Sequence, residues 1–190
     1  MTASWSLNEI EALAKKAARG CGCSWGVAED AGRAVRWLES RGLPGAEALD
    51  TLLRGSKPSE TLAIGCAISD GVFDDTVSEF ESLVSPVLLV PFIAWAAQRR
   101  GIDLEIQVNS AVIRVDAKGG LLEGFDSIPD QGAIVIQSRN RQGNVVEPGH
   151  RAHIGCEAIV ALEALAHNTY APATAASREA GAGAGLTDND

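Results

Sequence analysis

His167 and Tyr170 stand three residues apart, and Thr174, Ser177, Arg178 and Asp188 follow within the next eighteen positions. An imidazole and a phenol can pass a proton, a guanidinium fork holds a carboxylate, and hydroxyls and a side-chain carboxylate orient polar substrate groups. A second set, Ser138-Arg139-Asn140, comes where the apolar run Ala133 to Gln137 ends, and strand ends project side chains onto a loop surface. These types suit proton transfer on a small carboxylated metabolite. Arg139, Asn140, Thr174, Ser177, Arg178 and Asp188 would bind it, and His167 or Tyr170 would move the proton. Hydrolysis or elimination fits better than redox chemistry, because the sequence has no G-x-G-x-x-G after a strand. It also lacks G-x-x-x-x-G-K-[ST], G-x-S-x-G and H-E-x-x-H.

Other donor clusters carry less. His150-x-x-His153-x-x-Cys156 offers nitrogen and sulfur at intervals of three, but convergence on one ion needs a helix. Pro148, Gly149 and Gly155 interrupt the stretch, and no fourth ligand is evident, so no metal site is assigned. Asp70, Asp74, Asp75, Glu79 and Glu81 lack the order of a calcium loop and read as a solvated face. Cys21, Cys23, Cys66 and Cys156 are too scattered for a disulfide framework, so reduced thiols and a cytoplasmic setting are expected.

The elements that must position these groups follow from hydrophobic period. Ser6-Leu7-Asn8-Glu9 is a capping box, and Leu7, Ile10, Leu13, Ala14 and Ala17 repeat at helical spacing up to Gly20. A second helix after Ser24 carries Val27, Ala31, Ala34, Val35 and Leu38 and ends at Gly42, giving a helical hairpin. Ala46 to Leu53 reads as a third helix, and Pro86 to Arg100 as a buried one with Pro91 in its first turn. Thr61 to Ser69 has the length of a strand or of a buried helix turn. From Asp103 the period is two: Leu104 to Val108, Val112 to Val115 and Ala133 to Gln137 are strands. Asn140 to Asn144 is turn chemistry that predicts a hairpin from Ile134-Val135-Ile136 to Val145-Val146, and Glu157 to His167 returns to helix. Helices first and strands later give an α+β class: an N-terminal helical hairpin on a small, mostly antiparallel sheet, with a C-terminal helix and an extended tail. The expected organisation is a single domain over residues 1–170. The Gly/Ala-rich segment 171–190 is either a plain chain end or folded back to close the site.

Composition bounds the partners. Sixteen Lys and Arg against 25 Asp and Glu leave a formal charge of −9, which disfavours nucleic acid and anionic membranes. The longest apolar run, Val87 to Ala97, is about half of what a bilayer-spanning helix needs.

With S-L-N-E-I-E-A-L-A-K-K-A-A-R-G at Ser6 to Gly20, A-G-R-A-V-R-W-L at Ala31 to Leu38 and the tail ending in T-D-N-D, the chain resembles a proteobacterial family known as a domain of unknown function. That resemblance implies a bacterial cytoplasmic protein and brings no reaction or residue roles. Residues 6–45 are also similar to the N-terminal hairpin of the non-Rossmann malate and lactate dehydrogenase family. That family has Ser-His-Gly after its second helix, where this chain has Leu43-Pro44-Gly45, so its activity is not carried over. The alternative to an enzyme is an accessory subunit of a metabolic enzyme, whose Gly/Ala tail inserts into the partner while the hairpin supplies the docking face with Trp25 and Trp37 as anchors; a homo-oligomer is compatible with either reading.

Overall fold

The structure is a computed structural model and describes residues 2–73, 77–124, 126–139 and 143–170. The expected capping box starts helix α1 (Leu7–Gly20): Ser6 Oγ accepts the Glu9 N–H, and Glu9 Oε2 accepts the Ser6 N–H. Ser24 caps α2 (Trp25–Glu39). Lys15–Glu29 and Arg36–Glu11 ion pairs cross between the two helices in an order that makes them antiparallel, so the hairpin forms as expected. Helix α3 (Gly45–Leu53) follows with no side-chain cap from its own N-cap residue, Pro44.

The ambiguous run becomes α4 (Glu60–Ser69). Gly65 on this helix lets the Phe92 ring approach; a Cβ there would meet the ring at 2.5 Å. The long apolar run forms a 3₁₀ turn (Pro86–Leu89) leading into α5 (Val90–Arg100), which is closed by Gly101 in the left-handed region. The last helix is α6 (Cys156–His167).

Two sheets, both antiparallel, complete the α+β fold. Strands β1 (Thr2–Ser6) and β6 (Arg151–Gly155) make a two-stranded ribbon that joins opposite ends of the sequence, which local periodicity could not foresee. The larger sheet has the order β2-β5-β3-β4, from β2 (Val77–Val84), β3 (Leu104–Val108), β4 (Ala111–Val115) and β5 (Gln131–Ser138). The expected hairpin from β5 to Val145-Val146 does not form. β5 pairs with β2 and β3, while Val145 bridges Leu122 and the Val146 N–H reaches the Leu121 carbonyl. Strand β2 lies in the acidic stretch, where Asp70, Glu79 and Glu81 are exposed and Asp74 and Asp75 lie outside the described residues.

The period-two pattern sets the faces of the larger sheet. Leu104, Ile106 and Val108 are buried, and α5 packs on β3 and β4. One buried apolar cluster runs through every helix from Ile10 to Leu162 and includes this sheet face. No helix among the described residues is long and apolar enough to cross a membrane.

Candidate functional site

The C-terminal end of α2 carries a charged residue where its core-facing stripe predicts an apolar one. Ala31, Val35 and Leu38 are buried, and Glu39 continues the same line with 7% of its surface exposed. Its Oε1 accepts the Ala46 N–H at 2.9 Å, which supplies the cap that Pro44 cannot give α3. Burial, opposed by that amide and reinforced by the nearby Glu47 carboxylate, pushes Glu39 up to about 7. Near neutral pH such a group both gives and takes a proton.

Two adjoining hollows of about 680 and 530 Å³ meet at Ser40, Arg41, Gly149 and His150. Their second wall is the segment leading into β6, joined to α2 by the Gly149 N–H on the Ser40 carbonyl at 2.6 Å. Glu39, Glu47, Glu147 and His153 border the larger hollow; Arg33, Arg36, Trp37 and Trp95 border the smaller.

The three guanidiniums of the smaller hollow differ in their partners. Arg36 is paired with Glu11 at 2.9 Å, and Arg33 with Asp30 at 3.1 Å. Arg41 stacks over Trp37 at 4.0 Å and donates to the Trp37 carbonyl and the Ser40 hydroxyl, with no carboxylate partner among the described residues. Its Nε is buried without an acceptor, and burial lowers the guanidinium pKa from its ordinary value. A partly desolvated cation with neutral partners only, at the junction of two hollows, has the chemistry to accept an anion.

The structure gives the sequence-derived candidates other settings. His167 and Tyr170 come together, rings edge to face at 5.4 Å, with Trp5, Lys16 and Glu163 around a separate groove; both are exposed. Arg139 is drawn to the polar face of the larger sheet, 3.6 Å from Glu105. There the Glu105 carboxylate also accepts from Arg114 at 2.8 Å and Gln137 at 2.9 Å. Burial raises the Glu105 pKa, but these hydrogen bonds and the Arg114 and Arg139 charges together hold it below the usual range. Asn140, Thr174, Ser177, Arg178 and Asp188 lie outside the described residues. No group of three His, Cys, Asp or Glu suited to a metal occurs among the described residues. Sequence reasoning missed Glu39 and Arg41; the available signal was a carboxylate at the i+4 and i+8 positions of the buried Val35 and Ala31.

Residues 5–111 match the model of a family described as "Protein of unknown function (DUF3726)". The chain belongs to that family. No curated protein and no solved structure matches it. The DUF3726 match takes in α1 to β3 and hence Glu39, Arg41, Glu47 and both tryptophans of the smaller hollow. The 146–153 wall and the T-D-N-D tail lie beyond it.

Proposed function

We propose that this DUF3726 protein is a bacterial cytoplasmic enzyme, a lyase or hydrolase, that takes a small carboxylated metabolite into the cleft between α2 and the 146–153 segment. The observation that carries this reading is Arg41, a partly buried cation with no acidic partner among the described residues, two positions from a buried glutamate pushed up to about 7. The substrate carboxylate sits on Arg41. Glu39 takes the proton from the reacting carbon or from water and returns it to the leaving group. His150, which borders both hollows, is the second proton carrier. The cytoplasmic assignment draws support from Cys21, Cys23, Cys66 and Cys156, all free thiols.

The test is calorimetry with a panel of small carboxylates on the wild type and on Arg41→Gln, with Tyr170→Phe and His167→Asn as comparisons. Loss of a charge-assisted contact to a desolvated guanidinium should weaken binding about tenfold or more. The groove variants should bind like wild type. A panel that binds Arg41→Gln as well as wild type contradicts the reading.

The accessory-subunit reading draws on Trp25, 65% exposed at the start of α2 and flanked by Arg19 at 4.5 Å and Lys15 at 5.9 Å. A stoichiometric complex that persists through gel filtration and is lost in Trp25→Ala would favour it over the enzyme.

A further inference from the structure

The two hollows are opposite in charge. The smaller one is bordered by Arg33, Arg36 and Arg41 against the single carboxylate Glu11, the first two guanidiniums being paired with Asp30 and Glu11. The larger one is bordered by Glu39, Glu47 and Glu147 against two guanidiniums, the shared Arg41 and Arg151, whose Nε is turned to Ser4 Oγ at 2.6 Å. Glu147 is exposed and has neither a hydrogen bond nor an ion pair among the described residues. Glu47 uses Oε1 to accept the Gly155 N–H at 2.9 Å and forms no ion pair there. A simple carboxylate held on Arg41 therefore lies beside Glu47 and Glu147, neither of which forms an ion pair among the described residues, an arrangement that repels an anion and is relieved by a cationic group on the ligand.

Because Arg41 borders both hollows, a ligand anchored on its guanidinium can turn a cationic group toward the acidic one. We infer that the ligand is zwitterionic, an α-amino acid whose carboxylate rests on Arg41 while its ammonium faces Glu47 and Glu147. This rests on the carboxylate-binding reading above and narrows its substrate class. A dicarboxylate is disfavoured, since its second anion would enter the acidic hollow.

Matched triples of ligands on the full chain test the inference. L-alanine, L-leucine and L-phenylalanine are compared by calorimetry with propionate, 4-methylpentanoate and 3-phenylpropionate, which lack the ammonium. Ethylamine, 3-methylbutylamine and 2-phenylethylamine, which lack the carboxylate, complete the set. At least one amino acid should bind about fivefold or more tightly than both of its counterparts. In Glu47→Gln/Glu147→Gln that amino acid should fall toward the affinity of its desamino acid; glutamine keeps an acceptor for the Gly155 N–H, and circular dichroism confirms that the variant is folded. Equal affinity for amino acids and desamino acids, with Arg41→Gln still abolishing both, overturns the zwitterion inference and leaves carboxylate binding standing. Absence of binding by every amino acid and desamino acid overturns both. Preference for the amines overturns the assignment of Arg41 as anchor.

Discussion

Glu39 couples folding to pH through its proton. Its ordinary pKa is 4.5 and its folded one about 7, so between those values the native chain binds more protons than the unfolded chain. Stability is therefore greatest below the unfolded value and declines as pH rises through the folded one, by on the order of 3 kcal/mol for a shift of this size. Around Glu39 are the Ala46 and Gly45 amides and the Glu47 carboxylate on α3, and Arg41, Glu147, His150, Arg151 and His153 line the same hollow. Glu39→Gln keeps an acceptor for Ala46 but cannot ionise. Urea unfolding should find the variant more stable than wild type at pH 8, by up to about 3 kcal/mol, and within about 1 kcal/mol of it at pH 5. Equal destabilisation at both pH values would mean that Glu39 is ionised throughout and serves only as a cap. The signal for this residue was present in the sequence as a carboxylate on an apolar stripe. Arg41 gave none, because its isolation depends on which carboxylates fail to reach it.

Between elements, the closest fit is at the end of α1. A Cβ on Gly20 would lie 1.9 Å from the Leu165 carbonyl oxygen, so α6 crosses α1 only because that position has no side chain. Gly20→Ala forces backbone apart and should destabilise the fold by about 2 kcal/mol, read as a drop in the urea midpoint with little change in slope. Unchanged stability would show that the crossing is loose. Five helices were legible because each has its own period and stop, as with Ser6 and Gly20 for α1 or Pro91 and Gly101 for α5, whereas α4 was not, because Thr61 to Ser69 is a short apolar run that suits strand or helix. So were β3, β4 and β5, whose alternation places Leu104, Ile106 and Val108 on one face. Strands β1 and β6 were not, because Thr2–Ser6 becomes a strand only when Arg151–Gly155 arrives from the far end of the sequence. The second wall of the cleft leads directly into that ribbon. This is why the site escaped local reading while its first wall, α2, was plain.

At the scale of the molecule, a chain with a formal charge of −9 presents an anionic ligand with general repulsion, so attraction has to be local. In the proposed reading Arg41 is the local source, while Arg33 and Arg36 beside it are paired with Asp30 and Glu11; two tryptophan faces back the guanidiniums, Trp95 under Arg33 at 4.7 Å and Trp37 under Arg41 at 4.0 Å. Composition alone pointed away from nucleic acid, yet it could not reveal that the basic residues of α2 converge on one cleft. The central claim is that a small carboxylate binds there and not beside His167 and Tyr170. The most direct measurement is a titration of the full-length, nitrogen-15-labelled chain with L-alanine and propionate, following backbone amides and arginine Nε–H signals. The account predicts saturable shifts at the Arg41 Nε–H and at the Ser40 and Gly149 amides, lost in Arg41→Gln. Shifts confined to Lys16, His167, Tyr170 and residues 171–190, or no saturable shift at all, would contradict it.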